Sequence, residues 1–257
     1  MKIIVAIKQV PARDSSLRAD SGGRWIQEAG LSYEINEPDA YALEEGLQLR
    51  EKHSGEVVVL CAGPGRAAQT IREALAKGAD RAIHVEEENL TSMDTLGVAR
   101  LLAAAVAPEK PDLILTGLQS DDFGSGQTGV VLAELLGLTH ATIIMQTEVR
   151  EGAIRVKREL EDGWFQFIEM PLPAVLTIQS GINKLRYATL MGIKKAKTKE
   201  IRRLTSVDVG AGPLTATLEL SGIYPPPRIK QTQMLEGPAK EIAARLAEKL
   251  RFEARVL

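Results

Sequence analysis

The chain has 257 residues, 44% of them hydrophobic, with 32 basic and 34 acidic side chains; that is ample for a core, and the near balance of charge carries no global sign of nucleic-acid binding. A single cysteine, Cys61, excludes an internal disulfide and a cysteine-based metal cluster. No apolar run approaches the roughly 20 residues of a membrane span, and MKIIVAIKQV begins a strand at once instead of a signal peptide, so a soluble, reducing, cytoplasmic setting is expected.

Ile3 to Ile7 is almost entirely β-branched and predicts a strand that Pro11 ends. Residues 13–33 are polar, with Ser21-Gly22-Gly23 at their centre. That triplet resembles the pyrophosphate loop of ATP-cleaving synthetases, but Arg24 and Trp25 follow where Asp and Ser belong, so it reads as a turn. Asn36 to Lys52 opens on a capping residue and Pro38 and continues as an amphipathic helix. Val57 to Leu60 is the next strand. It leads into Cys61-Ala62-Gly63-Pro64-Gly65 and a helix from about Ala67 to Lys77. Gly63, Gly65 and Ala68 approach the dinucleotide fingerprint, although that pattern belongs on a first strand and lacks a proline. Arg81 to Val85 predicts a strand, and Asp94 to Ala107 a helix stopped by Pro108.

The segment from Asp112 to Gly137 is the most informative. Leu113, Ile114 and Leu115 form the short apolar run of a strand covered on both faces. Twelve small and polar residues follow, with Gly124, Gly126 and Gly129 among them. Val130, Val131, Leu132, Leu135 and Leu136 then recur at helical spacing. A strand, a glycine loop and a helix start can present free N–H groups and the positive end of the helix dipole to a phosphate. Gln127 and Thr128 add side-chain donors. The same residues are also compatible with an ordinary polar βα loop.

Ala141 to Met145 predicts another strand. The alternation to this point specifies a parallel sheet with helices on both faces. Glu148 to Phe167 alternates around the hairpin signals Glu151-Gly152 and Asp162-Gly163. Ala174 to Ile178 is a last buried strand. From Gly181 the chain no longer reads as part of a compact domain. It carries a basic run that includes Lys184, Arg186, Lys194, Lys195, Lys197 and Lys199. Then come Gly210, Gly212, Pro213 and Pro225-Pro226-Pro227, and after Pro238 a helix with Ile242, Leu246 and Leu250 four apart. Two placements of that tail stay open: docked on its own domain, or laid as an arm on another subunit.

Residues 156–178, VKRELEDGWFQFIEMPLPAVLTI, resemble the signature of the electron-transfer flavoprotein beta subunit, through Val156, Arg158, Glu161, Asp162, Gly163, Gln166, Ile168, Pro173, Val175, Leu176 and Thr177. INKLRYATL and the basic residues after it resemble that family's partner-recognition loop. VAIKQV, INEPDAYALEEGL, the CAGP turn and the QTG loop resemble its nucleotide-binding segments, in order and over essentially the whole chain. The resemblance implies a Rossmann-like α/β fold of the adenine-nucleotide-alpha-hydrolase type, with a β-hairpin insertion. It divides the chain into residues 1–204, a nucleotide-binding domain that includes the recognition loop, and residues 205–257, an extended C-terminal arm packed on an alpha subunit.

A heterodimer is implied that carries electrons and is not itself an enzyme. AMP lies in this subunit and FAD mostly on the alpha subunit. Flavoprotein dehydrogenases donate, and a quinone-reducing oxidoreductase or another acceptor receives. Carried across, the AMP contacts are Ala6, then Asn36, Glu37, Pro38 and Asp39, then Ala62. Asp122, Phe123, Gly124, Ser125, Gly126, Gln127, Thr128, Gly129, Val130, Val131, Leu132 and Ala133 complete them. The partner contacts are Arg186, Tyr187, Leu190 and Met191. The chain departs from the family pattern in two places. The usual N-P-F helix start is Asn36-Glu37-Pro38, and the acidic run of the loop is shortened to Asp121-Asp122. Gln127-Thr128-Gly129 is kept as in AMP-type members, and the DGDTAQVGP-like stretch of electron-bifurcating members, which hold a second FAD instead, is absent.

Two other classes compete. A hydrolase or ligase on this fold needs a base or a metal near the phosphates. The only histidines, His53, His84 and His140, are scattered, and Asp121 and Asp122 would be the pair to hold Mg²⁺. A nucleotide-binding stress-type protein would be about half as long, without the hairpin signature or the tail.

Overall fold

Alternating apolar residues decide how the layers stack. In the computed structural model, which describes residues 1–88, 90–212, 214–227 and 232–256, the first strand, β1 (Lys2–Ala6), points Ile3 and Val5 to one side of the sheet and Ile4 and Ala6 to the other. The chain continues through a short antiparallel pair, β2 (Gln9–Pro11) and β3 (Tyr33–Ile35). Next come α1 (Glu37–His53), β4 (Glu56–Gly63), α2 (Ala68–Lys77), β5 (Arg81–Glu86), α3 (Thr95–Val106), β6 (Leu113–Gly117) and α4 (Thr128–Leu136). A meander follows of β7 (Thr139–Arg150), β8 (Ala153–Glu159) and β9 (Phe165–Pro171), then β10 (Ala174–Ile178), α5 (Leu190–Ala196), β11 (Ile201–Leu204) and α6 (Ala239–Phe252).

Among the described residues, nine strands form one sheet in the order β11-β5-β4-β1-β6-β10-β7-β8-β9. The strands from β11 to β7 pair in parallel, and β8 and β9 continue the sheet antiparallel. One face is covered by α1, α2 and α5, the other by α3 and α4. Strands buried on both faces read as unbroken apolar runs, as Val57 to Cys61 and Leu113 to Leu115 do. The expected α/β fold with helices on both faces is therefore present, and so is the hairpin insertion. Its turns fall at Gly152 and at Asp162-Gly163, all with positive φ.

Three expectations need correction. The segment 13–33 is more than a polar loop: its end pairs with β2, and Ala19 bridges Ile26 around the Ser21-Gly22-Gly23 turn. The strand expected over Ala141 to Met145 spans twelve residues, because its second half serves as the first arm of the meander. The chain also does not leave the domain at Gly181. Helix α5 packs on α2, and β11 pairs in parallel with β5 at the sheet edge. Those elements were hidden by polarity. An edge strand of sequence Ile-Arg-Arg-Leu and a seven-residue helix with two lysines bury too little to show a period.

Beyond β11 the arm first lies on its own domain. Val209, Ala211 and Leu214 pack against the α3 side of the core. Asp94 accepts hydrogen bonds from the backbone N–H groups of Thr217 and Leu218 and from the Thr217 hydroxyl, and the Ile223 N–H donates to the Gly23 carbonyl at 2.7 Å. Helix α6 buries none of its residues. Pro213, residues 228–231 and Leu257 of the arm lie outside the described residues.

Candidate functional site: the crevice at the switch point and the docking loop

After β1 the chain runs to β4 and β5 on one side and then returns to β6 on the other. In open α/β sheets this reversal leaves a crevice beyond the strand C-termini, where ligands sit. Three segments meet there: the end of β1 with Lys8, the N-terminus of α1, and the loop between β6 and α4.

Asp39 ties them together. One carboxylate oxygen accepts the Lys8 N–H at 2.7 Å, and the other accepts the Gly117 N–H at 2.8 Å. Burial pushes its carboxyl up to about 7, against the downward pull of these hydrogen bonds. Gly117 is glycine because a Cβ there would fall 2.3 Å from an Asp39 oxygen and 2.7 Å from the Pro38 Cβ. Buried Asn36 donates to the Gln119 carbonyl at 2.9 Å and accepts the Asp121 N–H at 2.8 Å. Asn36 was expected to cap α1, yet it makes no side-chain cap; its amide holds the loop instead.

The loop is braced at its tip. Lys8 Nζ donates to Asp122 at 2.7 Å and lies 4.9 Å from the Phe123 ring centroid. The Phe123 ring stacks on Trp25 at 5.8 Å. Burial raises the Asp122 carboxyl, but the charge and hydrogen bond of Lys8, with the Ser120 hydroxyl and the Phe123 N–H, outweigh it and hold the group below the ordinary carboxylate range. Gly124 and Gly126 turn the chain with positive φ, and α4 begins without a side-chain cap. Its first-turn N–H groups therefore have no capping side chain at the positive end of the helix.

Within the expected AMP contacts, Ala6 ends β1 and Ala62 lies near the end of β4, both at the crevice side of the sheet. Asn36, Glu37 and Asp39 are joined by hydrogen bonds to Gln119, Asp121 and Gly117, and Asp122 is tied to Lys8. Val131 follows, its N–H donating to the Gln127 carbonyl inside α4. Leu132 and Ala133 are fully buried in the core on the α3 side. Gly129 is buried, and a Cβ there would lie 2.6 Å from both Thr116 Oγ1 and Thr177 Cγ2. Its role is to let α4 press onto β6 and β10.

The scattered histidines do not gather at the crevice. His84 is fully buried with Nε2 3.0 Å from the Gly63 carbonyl oxygen, while His53 and His140 lie on α1's end and on β7. Burial pushes the Cys61 thiol up to about 12. Among the described residues no cluster of His, Cys, Asp or Glu is placed to hold a metal ion, and no helix is long and apolar enough to cross a membrane.

A second feature lies about the middle of α1. Thr189 caps α5 by accepting the Gly192 N–H at 3.0 Å. Gly192 meets α2 so closely that a Cβ would sit 2.3 Å from the Ala76 carbonyl oxygen. This seating turns the start of α5 outward: Tyr187 is 93% exposed, Leu190 88% and Met191 60%. Arg186 behaves differently. It forks onto Glu44 at 2.7 Å and Glu51 at 2.6 Å. Lys194, Lys195 and Lys197 are exposed, whereas Lys199 turns inward to the carbonyls of Leu75 and Ala79 at the end of α2.

The doubly wound sheet, with a glycine loop and an uncapped helix at its switch point, defines a Rossmann-like α/β protein. The electron transfer flavoprotein domain family model matches residues 24–209. The chain is 37% identical to the electron transfer flavoprotein subunit beta of Methylophilus methylotrophus, over 96% of this chain and 97% of that protein. It is 38% identical to the Bradyrhizobium diazoefficiens subunit beta and 34% identical to that of Bacillus subtilis, each over 100% of both chains. The chain belongs to the electron transfer flavoprotein family and is of its beta-subunit type.

Proposed function

We propose that this chain is the beta subunit of a heterodimeric electron carrier, that it holds one AMP in the crevice, and that it presents Leu190 to flavoprotein dehydrogenases. The observation that carries the docking role is the outward Tyr187, Leu190 and Met191 cluster. The 88% exposure of Leu190 supports docking over a place in the core. Electron transfer requires fast, short-lived encounters, so a small apolar anchor beside charge suits it better than a large dry interface. Exposed Lys194, Lys195 and Lys197 lie on the same short helix and its end and would speed association with an acidic donor. The carrier passes its electrons to a quinone-reducing oxidoreductase or another acceptor and performs no catalysis of its own.

For AMP, the uncapped start of α4 and the glycine turn with positive φ at Gly124 and Gly126 suit a phosphate. Asn36, Pro38, Asp39 and residues 122–130 would surround it. The FAD would sit mostly on the alpha subunit, with residues 1–204 as the body of this subunit and residues 205–257 as the arm that reaches the partner.

The test is co-purification with the alpha subunit, followed by dehydrogenase-driven reduction. We expect a 1:1 complex and, for Leu190→Ala, unchanged melting with transfer that falls steeply. A variant that melts lower yet transfers normally once folded would overturn the docking role. Two FAD per heterodimer in place of one FAD and one AMP would favour a bifurcating carrier.

A further inference from the structure

An apolar side chain left in water tends to fold back on the surface unless the backbone beneath it is held, and here the hold is polar. Arg186, the residue before exposed Tyr187, donates from Nε to Glu44 at 2.7 Å, from one terminal nitrogen to Glu44 at 3.0 Å and from the other to Glu51 at 2.6 Å. Its backbone N–H also faces Glu44 at 3.4 Å. Glu44 is only 5% exposed, and Gln48 donates to it as well at 2.8 Å. The two carboxylates hold the guanidinium strongly protonated, and Arg186 in turn lowers Glu51. Three residues upstream, Asn183 donates to Glu45 at 3.0 Å and to the Tyr41 carbonyl at 3.2 Å. On the far side Thr189 caps α5, and Gly192 seats that helix against Ala76 of α2. Tyr187 and Leu190 thus stand between one anchor on α1 and another on α2.

We infer that Glu44 and Glu51 are positioning residues for docking. They act through Arg186, whose charge is spent inside the chain and is not offered to the electron donor. This rests on Leu190 being the docking anchor. A planar guanidinium that forks onto two carboxylates fixes direction as well as distance, so the pair sets where residue 187 leaves α1. The alternative, an Arg186 that reaches out to an acidic partner, requires that partner to displace Glu44 and Glu51. The two roles predict opposite signs. Loosening Arg186 would help a partner contact and would harm a positioned loop.

The experiment uses the heterodimer with its FAD, reduced by a purified flavoprotein dehydrogenase. Glu44→Gln, Glu51→Gln, Arg186→Lys and Leu190→Ala are compared, with double variants that combine Leu190→Ala with each of the others. We expect Glu44→Gln and Arg186→Lys to raise the KM for the heterodimer about 5- to 10-fold with kcat nearly constant, on the scale of coupled neighbours. Glu51→Gln, on an exposed carboxylate, should do so less. In the Leu190→Ala background these effects should vanish, because the anchor they aim is gone. A fall in KM for Glu44→Gln, or effects that simply multiply with Leu190→Ala, would overturn the positioning role while leaving Leu190 as anchor. No effect of Leu190→Ala alone would instead overturn the docking reading beneath it. If Glu44→Gln does not fold, Arg186→Lys and Glu51→Gln decide the matter.

Discussion

Two glycines three residues apart, Gly126 in the β6–α4 loop and Gly129 in the first turn of α4, answer to different forces. Gly126 has a positive φ, and a Cβ there would meet nothing closer than the Leu118 carbonyl oxygen at 3.7 Å. Gly129 has no room at all between Thr116 and Thr177. Gly129→Ala should therefore lower stability by about 1–3 kcal/mol through overpacking, whether or not nucleotide is bound. Gly126→Ala should add strain of about 1 kcal/mol to the loop, with less nucleotide retained after purification and a smaller change in melting. Equal losses of stability for both variants would contradict this division. In the sequence both glycines read as members of one phosphate loop. The distinction was not legible, because Thr177, which crowds Gly129, lies on a strand that joins the sheet only later in the chain. Asn36 illustrates the same gap: its place before a proline-led helix announced a cap, but the Gln119 and Asp121 partners that claim its amide are set by tertiary structure.

Among the elements, α3 carries a capping residue with two tasks. Asp94 accepts the Gly97 N–H at 2.8 Å and also holds Thr217 and Leu218 of the arm. Hydrogen bonds from the Thr217 hydroxyl, the Gly97 and Thr217 N–H groups and the Leu218 N–H depress its carboxyl well below the usual range. A depressed folded pKa contributes stability above the ordinary carboxylate pKa, and that stability is lost as pH falls through the depressed value. The clip should thus stay closed through neutral and mildly acidic pH and open only in strong acid. Amide exchange at Thr217 and Leu218 would show it, with protection retained at pH 5. Asp94→Ala should remove that protection at every pH and cost about 1 kcal/mol of stability from the lost cap. Helix α3 itself was plain in the sequence, with Asp94 at its head and Pro108 behind it. Its hold on the arm was not, because a short side chain that accepts from distant backbone leaves no periodic trace.

At the scale of the molecule, the parallel core was the most legible feature, since strands covered on both faces must be apolar throughout and helices such as α2 between them carry one apolar face. The polar periphery was the least legible: β11, α5 and the course of the arm depend on a few hydrogen bonds and one close glycine. The arm divides in two. Its first part is fastened to the domain at Asp94 and Gly23, and α6 buries no residue in this chain. Deletion of residues 236–257 should leave the melting of the isolated chain almost unchanged and weaken the complex with the alpha subunit by tenfold or more, on the order expected when a helix-sized contact is removed. Calorimetry of the isolated chain and titration with the alpha subunit measure the two effects separately. An unaltered affinity would place the alpha-subunit contact elsewhere.

Strand β1, interior to the sheet, precedes both of its neighbours in the chain. Ile3 finds its neighbours only at Val57 and at Leu113, and β10, which shields the far side of β6, comes later still. As the chain leaves the ribosome, β1 is thus an unpaired apolar strand for as long as it takes to synthesise β4, and the crevice has no outer wall until residue 178 has emerged. Fragments released from the ribosome that stop near residue 150 would contain the entire glycine loop yet be cut by protease within it. Extension to residue 204, which also supplies the last edge strand, should confer resistance in one step. Chains stalled in between are the ones a chaperone must hold.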